Sequence, residues 1–461
     1  MSALNGRRLL VVSGRDVRHP DAGGPERYLH EITRRWVAGG ARVTWVAGRS
    51  PDSPARENVD GVEVVRTPVL LSRPGQRFDA VLDARTGPAL AEPRLAVGRV
   101  PVVRLVHRVG PAVPARTGLA ARLRRLVRRR AAGRTTVTLS PSARHELRCR
   151  HAARGPIFVV PPGVSPVAPA GERAADPTIV VVARLVPEQR LDLLLAELTT
   201  VLAQVPALRV EIIGAGPELP RLRRIMHDEA VAHAVTLHGR VSDAELAMWL
   251  RRAWLTVSTA TGARCGCAVL AAAAHGVPCV ALDAPGIADF VRDGRTGRLV
   301  AAPAELAPVL VRQLWALADD GHARWTAGQC RAWTERFGWD RSAELLAAVV
   351  AHQLGMTRAR RQRRYARSDI ATVVRFPAGV TVAPGALRVT DEVAVTGGVT
   401  DVLLNGCDDF DALGVLDRLG VSGAQVRLAG RDDLLVGPRP LPPLLTAAHE
   451  IPALRKAPER G

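Results

Sequence analysis

No stretch of about 18 uninterrupted apolar residues occurs in the chain, although apolar residues make up 47% of its 461 positions. No segment is therefore long and apolar enough to span a bilayer as a helix. Lysine is almost missing: Lys456 is the only one, and arginine carries the net charge of +20. Paired cysteine motifs are missing too. Cys149, Cys265, Cys267, Cys279, Cys330 and Cys407 form neither a pair of C-x-x-C units nor a Cys/His cluster with zinc-like spacing. That scatter argues for free thiols in a reducing, cytoplasmic setting, with Cys265-Gly266-Cys267 the one close pair open to redox or metal use. The opening MSALNGRRLLVVSGRD lacks a small-residue cleavage site, so it reads as a first buried strand and not as a signal peptide. A basic surface attracts nucleic acid, anionic lipid and phosphorylated substrates alike. Charge alone selects none of them.

The length suits two domains and an appendage. The apolar runs RLLVVS (8–13), ARVTWVAG, VEVVRT, FDAVLDA (78–84), VPVVRLVH (100–107) and TTVTLS (135–140) read as strands, and PERYLHEITRRWVA (25–38) reads as the first helix. The pattern restarts with PTIVVVARL (177–185), LRVEIIGAG (208–216), VTLHGRV (235–241) and WLTVST (254–259), then an Ala-rich helix, VPCVALDA and TGRLVAA. Short apolar strands separated by helices predict parallel sheets covered on both faces. The stretch VVPPGVSPVAPAGERAADP separates the two series as a linker. The expected division is 1–165 and 166–335 for two Rossmann-like domains, 336–354 for a helix returning to the first, 355–370 for an Arg-rich linker and 371–461 for a small extension. In that last segment VTDVLLNG, DDFDALGVLDRLG and AQVRLAG read as strand, helix and strand. Ligands of such sheets sit beyond the carboxyl ends of the strands, which makes the cleft between the domains the expected site.

Several ordered strings resemble glycosyltransferase family 4. HPDAGGPERYLHEI is similar to that family's N-terminal glycine loop and helix, with Gly23 and Gly24 in the loop. VVPPGV, VARLVPEQRLDLLL, IIGAGPE, LHGRVSD, AAAAHGVPCVALDAPGIADFVRDGRTGRLV and ERFGWDRSAELL follow the family's order and spacing over about residues 7–350. The resemblance implies an α/β fold of GT-B architecture, with two Rossmann-like domains whose parallel sheets face each other across a cleft, plus the small C-terminal α/β extension. It also implies retaining transfer from a nucleotide-diphosphate sugar to an unknown acceptor, with no metal required.

The resemblance assigns donor contacts to Gly23, Gly24, Arg184, Gln189, Gly214, Gly216, Arg264 and Gly266, and a sugar-facing role to His107. Helix N-termini, glycine amides and arginines stabilise a departing diphosphate. The chain departs from the family where charge matters most. Gln189 replaces the diphosphate-binding lysine, and Ala263 and Ala271 replace both glutamates of the E-x7-E motif. Ala215 replaces an aspartate common in the glycine pair. Hydrogen bonds to charged groups are worth about 1.5–3 kcal/mol, so three losses would remove roughly three to six decades of rate if they added. The sequence therefore points to impaired transfer, with Arg264 as a substitute diphosphate contact if it turns inward.

Alternatives stand beside these assignments. His107 reads equally as a strand-end residue bonded to backbone, and Asp289 as a cleft residue or as the cap of its own short helix. The basic segment 119–134 suits either an ordinary domain helix or a helix lying on an anionic membrane. The Arg-rich 357–368 reads as a linker, with Tyr365 its one aromatic residue and no nucleic-acid motif around it. The competing function classes are a transferase with an altered donor site, a non-catalytic partner of a protein, glycan or inner membrane surface, and a polyanion binder.

Overall fold

The computed structural model describes residues 3–67, 78–85, 100–107, 135–149, 155–167, 172–261, 265–361, 371–380, 382, 387, 391–396, 398–405 and 407–429. The basic segment 119–134, Ala263, Arg264, residues 362–368 and Lys456 lie outside them. The chain divides into two compact units, Met1–Leu354 and Gly355–Gly461.

The first sheet contains β1 (Arg8–Val12), β2 (Arg42–Ala47), β3 (Arg56–Val59), β4 (Val62–Arg66), β5 (Ala80–Asp83), β6 (Val102–Val106), β7 (Thr136–Thr138) and β8 (Ile157–Val159). Their order is β3-β4-β2-β1-β5-β6-β7-β8. Leu9, Leu10, Val11 and Val12 are all buried, the run expected of a strand covered on both faces. Only β3 runs antiparallel to its neighbour. It is a strand the apolar pattern did not announce, formed because Asp60 and Gly61 both adopt positive φ in a two-residue hairpin turn. Helix α1 (Gly24–Ala38) follows β1, and α2 (Pro141–Cys149) follows β7.

The second series holds β9 (Thr178–Val182), α3 (Leu191–Gln204), β10 (Arg209–Ile213), α4 (Leu219–Asp228), β11 (Val235–Gly239), α5 (Asp243–Arg252), β12 (Thr256–Ser258), α6 (Cys267–Ala274), β13 (Cys279–Leu282) and β14 (Gly297–Val300). Strands β11-β10-β9 and β12-β13-β14 are joined by a parallel bridge between Ile179 and Leu255. Strand order thus reverses between β9 and β12, the switch point at which such sheets open a ligand crevice. Leu194, Leu195, Leu198 and Val201 of α3 pack with Ile179, Val210 and Ile212. Each such side chain contributes about 1.5–3 kcal/mol on burial. Two helices that the strand reading had passed over, α7 (Leu306–Ala318) and α8 (Asp320–Thr334), complete this domain, α7 adding Leu310, Leu314 and Leu317 to its core.

Helix α9 (Trp339–Arg361) carries the chain back onto the first domain. Trp36 Nε1 donates to the Ala343 carbonyl at 2.9 Å, and Ser342 Oγ donates to the Pro161 carbonyl at 2.9 Å. The start of the expected 355–370 linker is helical through Arg361, because Met, Arg and Ala are good helix formers and no proline interrupts them.

In the second unit, β15 (Ala371–Arg375), β16 (Glu392–Thr396), β17 (Val399–Asn405) and β18 (Gln425–Leu428) form an antiparallel sheet in the order β16-β17-β15-β18. Helix α10 (Asp409–Leu419) is capped by Asp408, which accepts from the Asp411 N–H at 2.9 Å. It ends at Gly420 in the left-handed region. Val374, Phe376, Val402, Leu404 and Leu416 form the core of this unit. The strand, helix and strand read from the sequence are all present, in antiparallel pairing.

Candidate functional site

The loop after β1 is tied down from beneath. Arg66, at the end of β4, forks onto Asp16 with Nε to Oδ2 at 2.7 Å and Nη2 to Oδ1 at 2.9 Å, and also reaches Glu57 at 2.8 Å. Both partners are buried, at 1% and 0% side-chain exposure. Burial alone would raise the Asp16 carboxyl, but the Arg66 hydrogen bond and charge outweigh it and hold the group below its usual range. Trp45 Nε1 donates to Ser13 Oγ at 2.7 Å, fixing the start of the same loop. At its end, the Gly23 N–H donates to Glu26 Oε2 at 2.8 Å, and α1 begins at Gly24.

The second domain meets this loop directly. A Cβ on Gly23 would stand 3.4 Å from Arg184 Cδ, and one on Gly24 would stand 3.0 Å from Cys265 Sγ and 3.4 Å from Cys267 Sγ. Arg184 follows β9, is half-buried, and has no ion pair among the described residues. Its loop lies tight against the loop after β10: a Cβ on Gly214 would overlap the Ala183 carbonyl, and one on Gly216 the Leu185 carbonyl. These two glycines hold the backbone that bears Arg184. Gln189 ends a short 3-10 turn, its carbonyl accepting from Thr259 Oγ at 2.9 Å.

Gly266 caps α6 with φ at 65°, and a Cβ there would overlap the Phe290 ring. Ala271, one α6 turn on, packs against the cluster of Val180, Ile213, Leu250 and Val277. Ala271, which the resemblance pairs with the family's second glutamate, thus makes an apolar contact. Ala263 and Arg264 lie outside the described residues.

His107 stands at the carboxyl end of β6 and is 4% exposed, with no hydrogen-bond partner for Nδ1 or Nε2 among the described residues. No backbone group among the described residues bonds the ring, although the strand-end reading expects one to. Burial lowers its pKa to about 4, so the ring is neutral at pH 7, one nitrogen a donor and the other an acceptor. Tyr28 meets it edge-on with ring centroids 5.6 Å apart, and the Tyr28 hydroxyl donates to the Val160 carbonyl at 3.1 Å.

Asp289 caps a helix, but not its own. Its carboxylate accepts from Ser142 Oγ at 2.9 Å and from the Ser142 N–H at 3.1 Å, satisfying the N-terminus of α2 in the first domain. On the exposed rim, Arg27 pairs with Asp243 at 2.9 Å and Arg240 with Asp21 at 3.7 Å. Such exposed pairs contribute about 0–1 kcal/mol each. Sequence reasoning missed Asp16, Arg66, Tyr28 and Ser142. Their partners lie tens of residues away, and no local pattern marks them. Among the described residues, no group of three His, Cys, Asp or Glu side chains is placed to hold a metal ion.

Two Rossmann-like domains facing across a cleft, with a final helix crossing back, define the GT-B class of glycosyltransferase folds. Residues 176–317 match the family described as Glycosyl transferases group 1, and the chain has the fold of the GT-B glycosyltransferases. It is 28% identical over 376 residues to the GDP-mannose-dependent alpha-(1-6)-phosphatidylinositol monomannoside mannosyltransferase of Mycobacterium tuberculosis, covering 71% of this chain and 94% of that protein. It is 32% identical over 243 residues to the D-inositol 3-phosphate glycosyltransferase of Streptomyces avermitilis, covering 48% of this chain and 52% of that one. Among solved structures, sucrose-phosphate synthase from Thermosynechococcus elongatus superposes with a TM-score of 0.59 at 20% identity, over 77% of this chain and 99% of that one. Anabaena HepE, solved with UDP-glucose, gives 0.54 at 16% identity, over 77% and 100%. No described helix is long and apolar enough to cross a membrane.

Proposed function

We propose that the cleft binds a nucleotide-diphosphate sugar and that the chain performs retaining glycosyl transfer only in an impaired form. The observation that carries this reading is Arg184. It is a half-buried guanidinium without an ion pair among the described residues, and it lies against the N-terminal end of α1 at Gly23. A helix N-terminus and an arginine together form a diphosphate site. His107 supplies a neutral, unpartnered imidazole at a strand's carboxyl end, suited to a sugar hydroxyl. Gln189 brings no charge, and Ala271 brings no hydroxyl acceptor. The diphosphate side of the donor site is thus better preserved than the sugar side.

The names of the relatives guide the choice of ligands. The test is calorimetric titration with GDP, UDP, GDP-mannose and UDP-glucose at low and moderate salt, followed by turnover assays with inositol-bearing acceptors. Saturable, base-selective binding that survives moderate salt supports the reading. Binding that is absent, or that ignores the base and vanishes with salt, overturns it and leaves the polyanion class. The combined variant Gln189→Lys, Ala263→Glu, Ala271→Glu is expected to raise turnover, and unchanged turnover despite donor binding would place the defect elsewhere.

A second reading, a non-catalytic relative that serves a protein, glycan or membrane partner from the cytoplasmic side, draws on the apolar packing of Ala271. Donor binding with no transfer or hydrolysis at high protein concentration would favour it.

A further inference from the structure

Cys265 and Cys267 are nucleophilic side chains in the cleft wall that glycosyl transfer leaves unused. The left-handed turn at Gly266 folds them together, and Cys267 Sγ donates to the Cys265 carbonyl at 3.9 Å. Both sulfurs also stand where a Cβ on Gly24 would be, 3.0 Å and 3.4 Å from it, so both face the first domain's glycine loop. Cys279, Cys330 and Cys407 are buried, and Cys149 lies exposed on α2.

We propose that Cys265 and Cys267 form a dithiol modification site, converted by small-molecule disulfides into an intraloop disulfide at the contact between the two domains. The half-buried Cys265 thiolate attacks one sulfur of the small disulfide, forming a mixed disulfide and expelling a thiolate that takes up the first proton. The Cys267 thiolate then attacks the Cys265 sulfur and expels the second thiolate, which takes up the other proton. Two protein thiols are oxidised, and one small disulfide is reduced to two thiols. The hydrogen bond to Cys265 and burial push the Cys267 thiol well above its usual range, so closure quickens as pH rises. An S–S bond of about 2.05 Å is shorter than any contact between thiols. Closing it shifts at least one sulfur at the Gly24 contact.

The site is tested on the native full chain with graded mixtures of oxidised and reduced glutathione, quenched in acid, alkylated and digested with trypsin. Cleavage after Arg264 and Arg292 gives peptide 265–292, which holds Cys265, Cys267 and Cys279. The expected product has lost two hydrogens, with fragment ions placing the bond between Cys265 and Cys267 and with Cys279 alkylated only after denaturation. Persistent glutathione adducts on the pair, a bridge to Cys279, or unmodified Cys265 and Cys267 while Cys149 reacts would each overturn the proposal. None of these outcomes depends on nucleotide binding, so the result stands apart from the transferase reading.

Discussion

Asp289 of the second domain caps helix α2 of the first, holding both the hydroxyl and the backbone N–H of Ser142. Loss of an N-cap costs about 0.5–2 kcal/mol. Asp289→Ala is expected to lower unfolding stability by that amount. Ser142→Ala added to it should cost little more than Asp289→Ala alone, because the Ser142 hydroxyl acts through Asp289. Urea denaturation of the single and double variants measures this, and fully additive losses would deny the coupling.

His107 gives the stability a pH dependence. Its folded pKa, about 4, lies below the ordinary 6.5, so as pH falls the unfolded chain takes the proton first. Its contribution is complete above about 6.5 and is lost as pH drops towards 4, amounting to roughly 3 kcal/mol at the low end. His107→Phe should flatten the stability profile between those values. An unchanged slope would show that His107 does not titrate as a buried neutral ring.

Gly266→Ala is expected to be among the most damaging single methyl additions in the second domain. The new Cβ meets the Phe290 ring at a backbone φ of 65°, and overpacking and left-handed strain together cost about 2–4 kcal/mol. Thermal unfolding of the variant tests this. A melting point within a degree of the parent would mean that Phe290 moves aside freely.

Arg184→Gln should weaken nucleoside diphosphate binding about 10- to 100-fold, the worth of one charged hydrogen-bonding group, with little change in stability. Titration of both proteins with GDP and UDP decides it. Equal affinities would remove Arg184 from the diphosphate site.

Much of the scaffold was legible because its causes are local. The runs at 8–13 and 177–185 announce buried parallel strands by being apolar without alternation, and Pro25 with Glu26 announces the start of α1. Strand β3 was not legible, because RENV carries no apolar signal and owes its place to the turn at Asp60-Gly61. In the site, the resemblance assigns the glycines and Arg184 from local strings, whereas relationships across the fold have no local string to carry them. Asp289 looked like a local cap because capping is usually local, yet its partner is 147 residues away. Nothing near His107 in sequence indicates that both its nitrogens go unpartnered among the described residues.

The return of α9 to the first domain means that the polypeptide passes between the two halves of the cleft twice. Its first crossing leaves from the Pro161–Val164 region, and its second arrives at Gly338 and Trp339, where Val164 and Gly338 form a bridge. Two tethers pinned side by side resist swivelling and sliding more than bending about the pair. A cut in either tether would leave the other tether and the side-chain contacts between the halves, Asp289 with Ser142 among them, to resist twisting. The alignment of the glycine loop with Arg184 would then rest on those contacts.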